Sequence, residues 1–340
     1  MAVGDQAEAA IRSYIAYGKE STFGTYASVS VAVEAISCSF KVEKESQKLE
    51  TLNKSRDFSK RVQTNQNVSG TLEMYLHPLE SVLLFATAMG GGISTSSQSG
   101  VAIHTLTAGN FDTSPSSLSF NIRKGSNANH VWEYSGGRPN TVTITGEIGE
   151  PIMITAEMVF KDATLTTNNI GANLSVSALA PFVYHQGSYI YSGTQASLTS
   201  TNSEPIQSFE LVINNNIISD AAARQLGSQV PSVLPATQRE IELTITQRWD
   251  TTTNYNRFMQ ATEGSVRLLF SGSQITSTAA QTYAWQIDMP KVLMNTPDPE
   301  LSGAGDLLQS EISFDVITDN PQTTTGKAIV ATVWNNVNAY

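Results

Sequence analysis

The chain has 340 residues, 40 % hydrophobic and only 15 % charged, with 23 glycines, 12 prolines and one cysteine; that length leaves room for two domains, and the low charge, made up by Ser, Thr and Asn, leans toward sheet. Thirty acidic against 20 basic residues give a formal net charge of −10, which argues against tight nucleic-acid binding through phosphate neutralisation. The lone Cys38 forbids an internal disulfide framework, and His77, His104, His130 and His185 are scattered without ligand spacing, so no metal or other cofactor is expected.

Residues 1–20 lack a basic region followed by an apolar run, and no 18-residue apolar stretch occurs; neither a targeting signal nor a membrane span is expected, and the product is read as made in a cytoplasm. The sequons at Asn53, Asn67 and Asn173 are then coincidences of an Asn- and Ser-rich chain. Cys38, among Ile36, Ser37 and Phe40, reads as a buried strand residue. Lys41 to Arg61 is a long polar connection with seven basic residues, Lys41, Lys44, Lys48, Lys54, Arg56, Lys60 and Arg61, against Glu43, Glu45, Glu50 and Asp57. Its net charge of +3 leaves −13 for the remainder, and a long connection of this kind is usually functional or disordered.

Gly70 to His77 alternates with period two: Leu72, Met74 and Leu76 point one way, Thr71, Glu73 and Tyr75 the other, a half-buried strand. Leu79 to Met89 carries Leu79, Val82, Leu83 and Ala86 at helical spacing after Pro78, and Gly90-Gly91-Gly92 reads as its C-terminal stop. Two further strands, Thr141 to Glu147 and Ile152 to Phe160, flank the turn Ile148-Gly149-Glu150-Pro151.

The halves repeat weakly. Ser13-Tyr14-Ile15-Ala16-Tyr17-Gly18 is echoed by Ser188-Tyr189-Ile190-Tyr191-Ser192-Gly193, and Phe40 to Leu72 has the same 32-residue spacing as Phe209 to Ile241. A second short helix is expected over Asn254 to Ala261, and Trp132 and Phe160 have counterparts in Trp285 and Phe314. The predicted fold is mainly β: two tandem domains, 1–168 and 169–340, each with a short flanking helix. The segment matching the basic connection, Glu210 to Gln238, carries only Glu210, Asp220 and Arg224, so the two copies are alike in spacing and unlike in charge.

Several of these stretches resemble the major tail tube proteins of long-tailed bacteriophages. Gly18-Lys19-Glu20-Ser21-Thr22-Phe23-Gly24-Thr25 is similar to that family's opening motif, and Val68-Ser69-Gly70-Thr71-Leu72-Glu73 with Leu79 to Leu84 resembles its strand and following helix. Gly136 to Ile144 and Gly149 to Ala163 resemble its final hairpin, and Pro181-Phe182 before Gly187 to Ile190 its entry into a second half. The resemblance implies a β-sandwich or barrel domain that lends its inner sheet to a tube, with a long loop reaching the neighbouring ring. Six domains make such a ring, so two per chain imply a homotrimer with pseudo-sixfold symmetry. It also implies a virion tail component assembled in the host cytoplasm, whose partners are copies of itself, the tape-measure protein and tail-end proteins. DNA would pass through the lumen without specific binding, and no membrane is involved.

A conduit for DNA needs a lining that repels phosphate. The candidates are Glu73, Glu157, Glu240, Glu242, Glu311 and Asp315, on strand faces opposite the apolar ones; alternation alone favours the simpler reading, a solvated face of a monomer. The basic connection is expected to order on docking to an acidic surface of the next ring. Enzyme readings fare poorly. Gly90-Gly91-Gly92-Ile93-Ser94 lacks the Lys-Ser/Thr of a phosphate loop, Glu240 and Glu242 form a stripe without a pocket signature, and Asp298-Pro299-Glu300 to Asp306 reads as a polar loop before a calcium site. The alternatives are a β-sandwich adhesin or fibre domain binding through loop aromatics such as Tyr189, Tyr191 or Trp249, and a tail terminator that stops at one ring.

Overall fold

Alternating apolar and hydroxylated residues make strands, and antiparallel strands dominate the chain. The computed structural model describes residues 10–52, 54–98, 100–112, 116–275, 281–295, 297, 299, 307–318 and 327–340. In the first half β1 (Tyr14–Lys19), β2 (Val31–Val33), β3 (Ala35–Cys38), β4 (Lys41–Lys48) and β5 (Arg61–Tyr75) precede helix α1 (Val82–Met89). Then come β6 (Gly90–Gln98), β7 (Val101–Ala108), β8 (Leu118–Arg123), β9 (Val131–Glu147), β10 (Met153–Phe160) and β11 (Asp162–Thr166). The second half runs β12 (Gly187–Ser192), β13 (Ser203–Glu204), β14 (Ser208–Asn214), β15 (Glu240–Arg248), α2 (Thr253–Met259), β16 (Gly264–Gln274), β17 (Thr282–Met294), β18 (Gln309–Val316) and β19 (Val330–Asn335).

Both halves are wired alike. In the first, β1 pairs with β2 and β8, β8 with β9, β9 with β10 and β11, and β10 with β5, which pairs with β3 and β4. In the second, β12 pairs with β13 and β16, β16 with β17, β17 with β18 and β19, and β18 with β15, which pairs with β14. The 32-residue spacing picks out equivalent strands but not equivalent registers. Phe209 lies opposite Ile245, not near Ile241, whereas Phe40 sits between the Cys38↔Leu72 and Lys41↔Ser69 pairs. A slip by an even number of residues keeps every apolar side chain on its face, so period two is blind to it.

The long strand β9 serves two sheets, and β17 likewise changes partners along its length, from β16 and β19 to β18 at its end. Val131 to Gly137 of β9 pairs with β8 and β11, whereas Arg138 to Thr145 pairs with β10. The crossing point needs Gly136: its φ is +66°, and a Cβ there would sit 2.6 Å from the Lys161 Cβ. Between the layers lies an apolar core in which Phe40, Phe120, Tyr134 and Phe160 pack ring against ring at 4.7–5.6 Å.

Helix α1 is buried on all sides, as a helix enclosed between layers must be. It starts three residues later than the spacing predicts, because Pro78 to Glu80 form turns. Gly90 closes it in the left-handed region with φ +65°, and Gly91 and Gly92 already belong to β6. Phe85 meets Trp285 edge to face at 5.6 Å, tying the helix to the second half. Two strand pairs complete the tie, β9 with β14 and β7 with β19. Helix α2, near its expected place, buries none of its residues.

Candidate functional site

The β9–β14 pair makes one continuous antiparallel sheet out of strands from both halves, in the order β3/β4, β5, β10, β9, β14, β15, β18 and the end of β17. One row of directly opposed residues crosses all of it: Ser37, Glu73, Thr155, Thr143, Val212, Glu242, Asp315 and Leu293. Directly opposed residues share a face, as do residues two apart along a strand. The face of this row therefore also holds Glu157, Glu240 and Glu311, which pair with Thr71, Asn214 and Thr246. All six candidate acids lie together on it. Glu73 is half-buried and accepts a 2.7 Å hydrogen bond from the Ser37 hydroxyl, and the other five are exposed. The opposite face carries Leu72, Ile154, Ile144, Leu211, Leu243 and Phe314, all buried in the core.

Two further acids belong to the face. Glu147 opposes Ser208, and Glu210 opposes both Thr145 and Thr244; both are exposed. Glu147 continues the alternation of Thr141, Thr143 and Thr145, and Glu210 stands between the buried Phe209 and Leu211, so the signal for both was in the sequence. Glu210 is thus a strand residue and not part of a polar connection. Among the described residues, none of the eight carboxylates is within salt-bridge distance of a cation; Lys41, at the margin, is held 2.6 Å from Glu43.

The basic stretch is not a loop. Lys41, Lys44 and Lys48 lie in β4, Arg61 opens β5, and the ladder runs from Lys41↔Ser69 to Lys48↔Arg61, with a bulge between Lys44 and Ser46. Lys54, Arg56 and Lys60 fall in the connecting turn, and all seven basic residues are exposed. The strand expected to begin at Gly70 thus extends back nine residues as one edge of a two-stranded arm. Polar residues on both faces hide such a ribbon from a search for amphipathic alternation. At its tip the Lys48 ammonium lies 5.4 Å from the centre of the Phe58 ring, while Leu52 is fully exposed and Phe58 more than half.

The corresponding connection in the second half, residues 215–239, folds back onto the first half. Arg138, stacked between Phe23 and Phe111, donates to the Leu234 carbonyl, and Arg239 donates to the Gly109 carbonyl. Burial lowers the pKa of both guanidinium groups. Arg224 donates to the Gln229 and Gln66 carbonyls and to Asn67 Oδ1, so this connection braces the base of the arm.

Other sequence candidates are placed elsewhere. Tyr189 and Tyr191 are not loop aromatics: both are buried in β12, as is Ile190 between them. Trp249 is half-buried just beyond β15. Cys38 is half-buried, and burial pushes its thiol pKa up. Asp298, Glu300 and Asp306 lie outside the described residues. Among the described residues no three His, Cys, Asp or Glu side chains gather as metal ligands, and no helix is long and apolar enough to cross a membrane.

A family model described as phage tail tube protein matches residues 10–317, which takes in both halves, the acidic sheet face and the arm. The chain belongs to the phage tail tube protein family. It is a structural component of the virion tail, and the family's members assemble into a tube. None of the curated proteins matches it in sequence. In this tail tube protein the acidic face and the arm are two surfaces that the apolar core does not claim.

Proposed function

We propose that three copies of this tail tube protein form a ring around a lumen, that rings stack, and that genomic DNA passes through the channel along the acidic sheet face. The observation that carries the proposal is the single eight-strand sheet with eight carboxylates on one face and core on the other. Among the described residues its end strands have open edges: β3 and β4 pair only with β5, and the last residues of β17 only with β18. Open edges call for partners. The β9–β14 pair, which joins the halves, is the pattern for β17 of one copy meeting β3 and β4 of the next. Residues 1–168 and 169–340 then act as two tube domains, a reading supported by their matching pairing order.

Three such sheets give about 24 strands spaced about 4.8 Å, hence a backbone circumference of roughly 115 Å and a diameter near 37 Å before tilt widens it. That leaves room for a B-form duplex. Carboxylates without counter-cations repel phosphate at short range and keep the duplex mobile. The tape-measure and tail-end proteins would be the partners inside and at the ends of the tube, and assembly would take place in the host cytoplasm. Electron microscopy of the purified chain tests the assembly: threefold rings stacked into hollow tubes are expected. Six chains per ring would overturn the two-domain reading, and a persistent monomer at high concentration would overturn the tube itself.

A further inference from the structure

We propose that a pocket in the second half, enclosed by β12, β16 and the start of β14, binds a neutral pyranose sugar, with the Tyr189 hydroxyl as the donor that orients it. The site is separate from the acidic face and independent of ring assembly. Its volume is about 360 Å³, at the lower end of the range of small-molecule sites, about 300–1,000 Å³, and enough for one or two sugar rings. Aromatic rings supply the apolar wall. Tyr184, Phe209 and Phe270 line it, the last two with ring centres 5.7 Å apart. Gly187, directly opposite Phe270 in the β12–β16 pair, puts no side chain over that ring. The C–H face of a pyranose packs on such rings because their π faces are electron-rich. The walls are tied in advance: the Tyr184 hydroxyl donates to the Ile206 carbonyl at 2.5 Å, and Glu204 Oε1 accepts from Arg257 at 2.9 Å. A preformed site spares the cost of ordering it on binding.

Tyr189 carries the argument. It is 3 % exposed and lines the pocket, yet its hydroxyl has no hydrogen-bond partner among the described residues. Buried hydroxyls are nearly always paired, so the missing partner is expected from a ligand. Burial pushes its pKa well above the ordinary value, which keeps it a donor. An acceptor stands on the same side: Glu204 directly opposes Tyr189 in the β12–β13 pair, and its Oε2 is left over by the bond to Arg257. Charge then selects the ligand class. Arg257 neutralises Glu204, and apart from the exposed His185 no other charged side chain lines the pocket. Neither a cation nor an anion is favoured. A neutral molecule with an apolar face and hydroxyls along its edge fits such a site, and that description is a sugar.

The test titrates the purified full chain with glucose, galactose, N-acetylglucosamine, maltose and lactose, read by saturation-transfer NMR and calorimetry. At least one of them is expected to bind at millimolar strength or better. Tyr189→Phe keeps the ring and removes only the hydroxyl. It is expected to weaken that binding about tenfold, while the denaturation midpoint stays the same or rises, because the hydroxyl bonds nothing in the free protein. A lowered midpoint would give the hydroxyl a structural partner and overturn its assignment. Binding by none of the sugars, or equal binding by the parent and Tyr189→Phe, would overturn the site. Tetramethylammonium or acetate bound in place of the sugars would overturn the ligand class. All of these outcomes leave the tube reading intact, since electron microscopy of the assembly decides it separately.

Discussion

Glu242 and Asp315 stand directly opposite each other in the β15–β18 pair, both exposed on the same face of the sheet. Directly opposed like charges destabilise an antiparallel pair by about 0.2–1 kcal/mol, and Glu240, two residues away on the same face, adds to the repulsion. Glu242→Gln is therefore expected to stabilise the isolated subunit by up to about 1 kcal/mol, with a gain that shrinks in high salt. Urea unfolding at two salt concentrations measures it. A loss of stability would show that Glu242 makes a favourable contact in the subunit, and the face would not be held acidic at a cost.

Glu20 is the opposite kind of acid. It is 1 % exposed and accepts four hydrogen bonds: its Oε1 from the Ser119 hydroxyl at 2.7 Å and the Gly136 amide at 2.7 Å, its Oε2 from the Ser117 hydroxyl at 2.5 Å and the Gly24 amide at 2.8 Å. Each oxygen faces a main-chain N–H. However the side chain of Glu20→Gln is turned, its NH₂ points at a donor. The expected loss is on the order of 3 kcal/mol, readable as a lowered denaturation midpoint with an unchanged slope. An unchanged midpoint would mean that the carboxylate does not hold β1, β8 and β9 together.

His104 sets a pH dependence. It is fully buried, with Nδ1 2.8 Å from the Thr95 hydroxyl and Nε2 3.0 Å from Asn335 Oδ1. An acceptor beside Nε2 fixes the proton there and leaves Nδ1 to accept from Thr95. Burial lowers its pKa below the ordinary value, outweighing the opposing pull of Asn335. The folded protein thus binds this proton less readily than the unfolded chain. Its contribution is present above the unfolded pKa of about 6.5 and is lost as pH falls below it. Unfolding free energies at pH 8 and pH 5 should show a smaller acid loss for His104→Gln than for the parent. Equal losses would remove His104 as the cause.

Where a strand buries one face, period two reveals both the strand and the acids on its other face, which is why the placement of Glu73, Glu157, Glu240, Glu242, Glu311 and Asp315 opposite the apolar side chains was legible in the sequence. The fold class and α1 were legible for the same reason, since the apolar pattern is itself the cause of burial. Alternation says nothing about which strands become neighbours, so only the β9–β14 pair shows that acids from both halves share one sheet. The arm escaped because neither of its faces is buried, and Tyr189 and Tyr191 were misplaced because strand ends are hard to see where the flanking residues are polar. The brace by Arg224 joins residues more than 150 positions apart, and no local pattern encodes it.

That brace yields the last prediction. Arg224 donates to Gln66 O at 3.1 Å and to Asn67 Oδ1, while the Gln66 amide donates to Gln229 O at 2.9 Å. The arm's base is thereby fixed to the body, and with it the direction in which the ribbon leaves the sheet. Removing the guanidinium frees the arm without touching the core, because Arg224 is only half-buried. Arg224→Ala is expected to change global stability by less than about 1 kcal/mol. Local stability at residues 61–67 should fall by about 1.4 kcal/mol, a tenfold rise in amide exchange there. Arg224→Lys keeps the charge but cannot reach two acceptors as a planar fork, so its exchange should lie between the two. Hydrogen exchange read by mass spectrometry distinguishes the outcomes. Unchanged protection in 61–67 would mean that the β4–β5 ladder alone sets the arm's direction. A rise confined to that segment would show that the second half's folded connection aims the first half's projecting one, giving the two unlike copies complementary tasks.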